Sequence, residues 1–433
     1  MDKAIWPARF SAPPHCPMDV PLQDSDLRPA LKSCGLLGVL MACSMATPLA
    51  AQERFLPAAS AVVLPASVHA QGGRQSQLRA LDQARRAQPQ NLDAALAYGR
   101  AVFTLGLNEG DLRWYGSAKA ALGPWWQAAD LPADGFFLRG LVKQGFHDFQ
   151  GGLADINRAI TLKPRRAEFW SWRFALHLLQ ADMAMARQDT EEIARLFGTA
   201  ESDVYRAILL YRTGQPLPAV QMLARAIRSP QNQDASSQDW LSFHLGEAHR
   251  VGGQASQAIA VWDERLKRNG QSHLLRLSLA ELLNQQGRHA QAQAIAMNQA
   301  DMASLTDALL MQALLASRGA KDGRETSLAQ QMDARLRAQA LRQETLIERP
   351  KLIYQIAYGQ DIAAGLALSI DNWQLQKEPP DAVLFVQAAL ALGQAQAAAP
   401  VVEWAEKTRY TDPQLGPMIQ QLKAHPSWKG GRS

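Results

Sequence analysis

Apolar residues recur at helical spacing along most of this chain, and short turns separate the helical stretches. Residues 145–164, GFHDFQGGLADINRAITLKP, show the pattern: a polar turn precedes small and apolar residues at helical spacing, and a proline ends the run. Proline stops a helix because it cannot continue the hydrogen-bond ladder. Almost no segment alternates with the period of two that a half-buried β-strand requires. The sequence therefore predicts an all-α fold.

The helical pattern also repeats with a fixed period. Three pairs of small residues lie 34 positions apart: Gly246 and Ala280, Gly253 and Gly287, and Ala258 and Ala292. Self-similarity at such a period is typical of a tandem array of helical hairpins. Small residues are needed where the two helices of a hairpin cross closely, and larger apolar residues fill the space to the next hairpin.

This spacing resembles the tetratricopeptide repeat family, whose unit has two antiparallel helices with small residues at repeat positions 8 and 20. In the first good match Gly140 and Gly152 take those two positions. The resemblance implies a right-handed superhelical solenoid of antiparallel helix pairs, roughly nine hairpins long. The best matches are residues 133–166, 200–230, 239–272 and 273–300.

The repeats define the domain organisation that we expect. Tetratricopeptide-like repeats occupy residues 76–300, and residues 301–425 hold degenerate repeats and a capping helix. Residues 426–433 form a tail. Residues 52–75 are rich in proline, glycine and small residues, and we expect a linker there. The last two degenerate units are expected at residues 361–379 and 381–410.

The N-terminal region carries an export pattern. Residues 33–52, SCGLLGVLMACSMATPLAAQ, are uncharged, follow basic residues and end in small residues around Ala51. This pattern is typical of a secretory signal peptide, so we expect a leader over residues 1–51 with an apolar core at about 34–47. Cleavage would make the protein periplasmic or secreted. All three cysteines precede Ala51, so the cleaved chain would form no disulfide and no thiolate metal site.

A second interpretation of the leader stays open. Residues 40–43, LMAC, resemble the lipobox of bacterial lipoproteins, with Leu40 and Ala42 well placed. In that case Cys43 would be lipidated and would tether the protein to a membrane face. We expect a membrane contact only if Cys43 carries a lipid.

Composition and charge narrow the classes of function. The chain is 47% apolar, 7% aromatic and 20% charged, which is close to the average of folded globular proteins. Its net charge of +5 is spread over 433 residues. Nucleic-acid-binding proteins usually concentrate their basic residues in a stripe, so we expect no nucleic acid partner.

Sequence motifs of enzymes and cofactor sites are missing. Gly140 and Gly145 have phosphate-loop spacing, but Phe146 and His147 stand where Lys and Ser or Thr would contact phosphate and magnesium. The sequence contains neither the HExxH motif of zinc proteases nor the GxSxG motif of serine hydrolases. We therefore expect no catalytic residue, no cofactor and no metal site.

In tetratricopeptide arrays the first helix of each unit lines the concave surface, and the resemblance implies groove-facing residues at set positions of that helix. Such a mixture of aromatic, arginine and glutamate side chains suits an extended peptide or a partner's helix. In the matching units these candidate partner-binding residues are Arg100, Phe103, Phe137, Leu141, Gln144, Ile208, Tyr211, Trp240, Phe243, Glu247 and Arg250, followed by Leu277, Glu281 and Asn284.

These features favour a non-enzymatic protein-protein interaction scaffold or adaptor of the bacterial cell envelope, with a protein or peptide partner on the concave face. Two alternatives stay open. The first is a lipid-anchored assembly factor of the outer membrane. The second is an envelope hydrolase on a helical-repeat scaffold, in which carboxylates such as Glu191, Glu192 and Asp263 would have to pair through tertiary folding.

Overall fold

The computed structural model describes residues 72–109, 113–270, 272–298, 305–341 and 349–430. Within these ranges the secondary structure is helical, with no β-strand. From Leu78 onward the described residues belong to one compact unit. The predicted signal peptide, Cys43 and the linker up to residue 71 lie outside the described residues.

Twenty α-helices form in the described part of the chain. They are α1 (Gly72–Ala87), α2 (Leu92–Glu109), α3 (Arg113–Ala121), α4 (Ala133–Gly145), α5 (Phe149–Leu162), α6 (Ala167–Leu179), α7 (Met183–Phe197), α8 (Thr199–Arg212), α9 (Pro216–Arg228), α10 (Ala235–Val251), α11 (Ala255–Arg268), α12 (His273–Gln285), α13 (His289–Ala296), α14 (Asp307–Ala320), α15 (Glu325–Leu341), α16 (Arg349–Ile356), α17 (Ile362–Leu375), α18 (Pro379–Ala391), α19 (Ala399–Thr408) and α20 (Leu415–Ala424).

From α2 to α19 these helices form nine consecutive hairpins in the described residues, and α20 follows as a cap. The first helix of a hairpin also packs against the first helix of the next, as α10, α12, α14, α16 and α18 do in turn. The first helices therefore line an inner face and the second helices cover the outside. The prediction of an all-α helical repeat fold is confirmed.

The small residues of the repeat lie at the helix crossings. A Cβ added to Gly140 in α4 would lie 2.9 Å from the carbonyl oxygen of Gly152 in α5, which is closer than real Cβ contacts allow. In the hairpin of α10 and α11, a Cβ on Gly246 would overlap the buried indole of Trp262. A glycine is thus required at these crossings because the partner helix occupies the space of a side chain.

A left-handed residue recurs in the turn of five successive hairpins, from α4–α5 to α12–α13. Gly214, Gly253 and Gly287 have φ angles of 78°, 77° and 69°, whereas His147 and Ala181 hold the same place with 61° and 58°. Glycine adopts this conformation freely, and other residues do so at a cost of roughly 1–2 kcal/mol. The hairpin geometry therefore imposes the turn even where glycine is absent.

Several second helices begin at an aspartate that caps them. Asp148, Asp182 and Asp361 precede α5, α7 and α17, and each side chain accepts a hydrogen bond from the backbone N–H three residues later. Such a cap satisfies an N–H group that has no partner inside the helix and contributes about 1 kcal/mol. The position at which these helices begin is therefore set by a neighbouring residue in the sequence and does not depend on tertiary packing.

The C-terminal hairpins return to the early ones, so the array closes on itself. The backbone N–H of Lys377 donates to the carbonyl oxygen of Leu179 at the end of α6, at 2.8 Å. Residues of α16 to α20 also share a hydrophobic core with residues of α2 to α10, while two further clusters lie mainly in α11 to α15. The described chain thus closes into a ring from α6 to α20, and the hairpins α2–α3 and α4–α5 precede this closed part.

The predicted hairpin boundaries in the last hundred residues differ from those observed. Residues 361–379 were expected to form a unit of their own, but α17 is the second helix of a hairpin that begins with α16 at Arg349. The following hairpin pairs α18 with α19, and α20 provides the expected cap. The short first helix α16, with Pro350 in its first turn, obscured the repeat in the sequence.

Candidate functional site

An inner cavity of about 570 Å³ lies among the first helices of the later hairpins. This volume falls within the range of about 300–1,000 Å³ that is typical of ligand pockets. Side chains from α10, α12, α14, α16 and α18 line it, together with residues of the turn that precedes α20. The cavity is the space that the ring leaves open on its inner face.

Part of the cavity lining is apolar. The aliphatic side chains come from four successive first helices, α12, α14, α16 and α18. They are Leu282, Leu315, Ile353, Val383 and Leu384. An apolar surface of this kind gains free energy when it covers apolar groups of a ligand, at about 25 cal/mol per Å².

Side-chain amides form the second group of lining residues: Asn284, Gln285, Gln312, Gln387 and Gln414. The Asn284 amide nitrogen donates to the Gln312 backbone oxygen at 2.9 Å and to its side-chain oxygen at 3.0 Å. Each amide offers donors and an acceptor, as a peptide group does. The cavity therefore pairs an apolar surface with groups that match a peptide backbone.

At one end of the cavity, Arg250 joins two carboxylates. Its Nε and Nη2 atoms donate to the Glu247 carboxylate at 3.0 and 3.1 Å, and its Nη1 donates to Asp412 at 3.2 Å. The Tyr410 hydroxyl donates to the same Asp412 carboxylate at 2.9 Å. Burial alone would lower the pKa of Arg250, but the negative charges of Glu247 and Asp412 have the larger effect. The pKa of Arg250 therefore lies well above its usual value.

Two further arginines line the cavity. Arg349 donates through Nε to Asp381 at 2.6 Å. Arg318 donates to the Tyr358 carbonyl oxygen at 2.6 Å, and its guanidinium lies 4.7 Å from the centre of the Tyr358 ring. With Glu247, Glu281 and Asp412 on the acidic side, the described lining carries three acidic and three basic side chains. Their formal charges cancel, so the cavity has no excess charge of either sign.

The predicted groove residues fall into two sets. Glu247, Arg250, Glu281 and Asn284 line the cavity. Arg100 lies outside it and reaches Asp134 and Glu168 at 3.4 and 3.5 Å. Leu277 is half-buried. The remaining predicted residues are buried in the interfaces between the protein's own helices: Phe103, Phe137, Leu141, Gln144, Ile208, Tyr211, Trp240 and Phe243. Their role in binding a partner stays a prediction.

Aromatic packing explains the burial of this second set. Phe137 of α4 lies 4.4 Å from Phe169 of α6 between ring centres, and Phe103 of α2 lies 4.7 Å from Tyr115 of α3. The first pair joins neighbouring first helices, and the second joins the two helices of one hairpin. These rings contribute to the core between hairpins, where each buried aromatic side chain removes a large apolar area from water.

Tyr211 and His244 form a buried polar pair behind the cavity. The Tyr211 hydroxyl lies 2.9 Å from His244 Nδ1. Burial lowers the pKa of His244 to about 3, so the ring is neutral at neutral pH and Nδ1 can accept the hydroxyl proton. Among the described residues no group of three potential metal ligands forms, and this histidine pairs with a tyrosine instead.

Sequence reasoning missed the half of the cavity contributed by α14, α16 and α18. Gln312, Ile353, Val383 and Gln387 belong to that half. The groove-facing positions of the tetratricopeptide repeat could be assigned only in units that match the repeat pattern well. These three helices belong to degenerate repeats. The spacing of the first helices would have located them, had the hairpin starting at Arg349 been recognised.

No family model matches the chain, and no curated protein matches it. Three solved structures are similar to this chain. Yeast Tom70 has a TM-score of 0.41 and 11% identity, and the match covers 82% of this chain and 85% of Tom70; the APC/C hetero-tetramer Cut9-Hcn1 has a TM-score of 0.29 and 12% identity, and covers 82% and 88% of the two chains. A tetratricopeptide repeat protein from Parabacteroides merdae has a TM-score of 0.25 and 14% identity, and covers 76% of this chain and 98% of that chain.

The predicted resemblance to tetratricopeptide repeats is confirmed. It rests on the 34-residue period and on the successive hairpins with glycine at their crossings. Among the described residues no helix is long and apolar enough to cross a bilayer.

Proposed function

We propose that this protein is a non-enzymatic interaction scaffold that holds a short extended segment of a partner protein in its inner cavity. The observation that carries the proposal is the lining, in which aliphatic side chains from four successive first helices occur together with side-chain amides. The aliphatic groups, Leu315 and Val383 among them, would bury an apolar side chain of the segment. The amides of Gln312 and Gln387 would exchange hydrogen bonds with its backbone.

The charges of the cavity support a neutral partner segment. Arg250 is already engaged by Glu247 and Asp412, and Arg349 by Asp381. A strongly charged ligand would have to compete with these protein partners and would lose its own hydration on entry. A peptide with apolar side chains displaces no ion pair, and the lining amides can replace the hydrogen bonds that its backbone loses to water.

The same ion pairs speak against the hydrolase alternative. A glycan hydrolase needs two carboxyl groups that face the substrate, one to donate a proton and one to act as a base or nucleophile. Glu247 and Asp412 face Arg250 instead, and Asp412 also accepts hydrogen bonds from the backbone N–H groups of Gln414 and Leu415.

Action in the bacterial cell envelope is part of the proposal and is supported by the export pattern of residues 33–52. Export with cleavage after Ala51 and lipid attachment at Cys43 are both compatible with a scaffold. Mass spectrometry of the mature N-terminus distinguishes the two, because lipidation would leave a modified Cys43 as the first residue. A mature chain that retains the whole leader would contradict both versions.

The cavity assignment can be tested with a displayed library of random linear peptides. We expect the wild-type protein to enrich neutral sequences with apolar residues. Gln387→Trp places an indole in the cavity and should weaken the best selected peptide at least tenfold, or by about 1.4 kcal/mol. Gln374→Trp is the matched control, because Gln374 is exposed on the outside of α17. Failure to select any peptide, or equal binding by both variants, would contradict the proposal.

A further inference from the structure

The end of α5 and the connection to α6 present a group of basic side chains to solvent. Arg158 and Arg165 are exposed, and the side chains of Lys163 and Arg166 are about half-exposed. Leu162, which is 52% exposed, lies among them. We call these five residues the basic patch.

The basic patch lacks the counterions that exposed basic residues have in another second helix. In α11, Lys267 and Arg268 each contact an acidic side chain one turn earlier in the same helix. The one acidic residue of α5 is Asp155, which is buried and already contacts two basic side chains of α4. Among the described residues, Arg158 and Arg165 therefore form no ion pair.

Two carboxylates lie beside the basic patch, but three cations share them. Lys163 contacts Asp134 at 2.8 Å. Arg166 and Arg100 of α2 each contact both Asp134 and Glu168, at 3.4–3.8 Å. These distances exceed those of ordinary hydrogen bonds, and the buried Nε of Arg166 has no hydrogen-bond partner. The guanidinium groups thus keep donors that no protein acceptor uses.

The patch therefore carries positive charge that the protein does not neutralise. Its four basic side chains and Arg100 face two carboxylates, which leaves an excess of three positive charges. The C-terminus of α5 contributes a partial charge of only about −0.5. Such an excess attracts anionic groups that come within a Debye length of about 8 Å.

The exposed Leu162 adds an apolar contact to this charge. Side chains four residues apart are neighbours on one face of a helix, so Leu162 lies beside Arg158. The connection that follows is held in place, because Trp170 Nε1 donates to the Pro164 carbonyl oxygen at 2.8 Å. A surface that is already ordered loses little conformational freedom when a ligand binds to it.

We propose that the basic patch binds an acidic segment of a partner protein, in which glutamate or aspartate residues flank an apolar residue. The carboxylates pair with Arg158 and Arg165, and the apolar side chain covers Leu162. A nucleic acid fits less well, because the patch has no exposed aromatic side chain on which a base could stack. None of the patch residues lines the cavity, so this inference does not depend on the proposed function.

Fluorescence anisotropy with a fluorescein-labelled peptide, EELEELEE, tests the proposal on the unaltered protein. We expect saturable binding that weakens at least tenfold when NaCl rises from about 50 to about 500 mM, because salt screens exposed charges. The uncharged peptide QQLQQLQQ and a single-stranded DNA octamer should both bind more weakly. Absence of saturable binding by the acidic peptide would overturn the proposal, as would equal binding by the glutamine peptide or tighter binding by DNA.

Charge reversal locates the binding surface. Arg158→Glu combined with Arg165→Glu should weaken binding of the acidic peptide at least tenfold. Arg225→Glu combined with Arg228→Glu is the matched control, because it changes the net charge equally at two exposed arginines of α9. Leu162→Ala should weaken binding of EELEELEE and leave binding of an all-glutamate peptide unchanged.

Circular dichroism shows whether each variant keeps its helices. Equal weakening by the two double variants would show that net charge alone attracts the peptide, and it would overturn the assignment to this patch. Full affinity in a folded Leu162→Ala protein would overturn the apolar part of the proposal. The comparison of the acidic and glutamine peptides needs no variant, so it decides the case in which a variant fails to fold.

Discussion

Glycines at the helix crossings set how closely the two helices of a hairpin approach. At Gly140 the obstacle to a side chain is the backbone of Gly152, which cannot rotate away as a flexible side chain could. The Ile156 side chain lies 3.0 Å from the same added Cβ. A methyl group at this position would therefore have to push α5 away from α4 and disturb the packing of the whole hairpin.

We expect Gly140→Ala to lower the free energy of unfolding by about 1–3 kcal/mol, as overpacking of a close contact does. Gly116→Ala is the control, because a Cβ on Gly116 in α3 meets nothing within 4 Å. There alanine should be neutral or should stabilise the helix by up to about 1 kcal/mol. Urea denaturation followed by circular dichroism measures both. A similar loss in the two variants would show that crossing distance is not the cause.

Among the elements, the α4–α5 hairpin also anchors the long connection that precedes it. Arg139 of α4 donates to both Asp155 oxygens in α5, at 2.8 and 2.7 Å. Its Nη1 atom also lies within 3.2 Å of the carbonyl oxygens of Trp125, Trp126 and Ala128. One guanidinium thus joins two helices and the segment between α3 and α4. A planar fork with five N–H donors can do this, whereas a lysine cannot.

Arg139→Lys should therefore loosen the connection while keeping the charge beside Asp155. We expect a loss of about 1–3 kcal/mol in unfolding free energy, because three partly buried carbonyl groups lose their donor. Hydrogen exchange over residues 122–132 should accelerate. Arg158→Lys is the control, since Arg158 also lies over the Phe136 ring but is exposed. If the exchange of residues 122–132 stays unchanged, the assigned role of Arg139 is wrong.

Local patterns predicted the elements better than their assembly. Gly140, Gly152 and Pro164 identified a hairpin because crossing distance and helix termination depend on residues close in sequence. The groove positions on α10 and α12 led to Glu247 and Asn284, which do line the cavity. The repeat implied that Phe137 and Tyr211 face the groove, whereas both side chains are buried in the core, because burial depends on which helices lie opposite.

At the scale of the whole molecule, closure of the ring could not be predicted from the repeat. Each hairpin adds a small rotation to the array, and the sum over many hairpins decides whether the ends meet. The contacts that record closure, such as Arg212 with Glu378, join residues 166 positions apart. Nothing in the local pattern around either residue shows this pairing, because both look like ordinary charged residues at helix ends.

A closed ring makes the early and late hairpins depend on one another. Phe385 in α18 is 1% exposed and belongs to the core that includes α8 and α10. Leu310 in α14 is fully buried in a separate cluster. Phe385→Ala should speed hydrogen exchange in α8 and α10 more than Leu310→Ala does, although both substitutions cost about 2–5 kcal/mol. In an open array each unit contacts only its neighbours, so Phe385→Ala would leave hydrogen exchange in α8 unchanged.

Closure also restricts how such a chain can change in length over evolution. Open repeat arrays gain or lose units by duplication and deletion, because a new unit contacts only the units beside it. Here one extra hairpin between α11 and α12 would shift Glu378 and Asp412 past Arg212 and Arg250. A change of length within a connection, by contrast, would leave the number of hairpins and these pairings in place. The closing contacts therefore fit one number of hairpins, as the geometry of a closed β-barrel fits one number of strands.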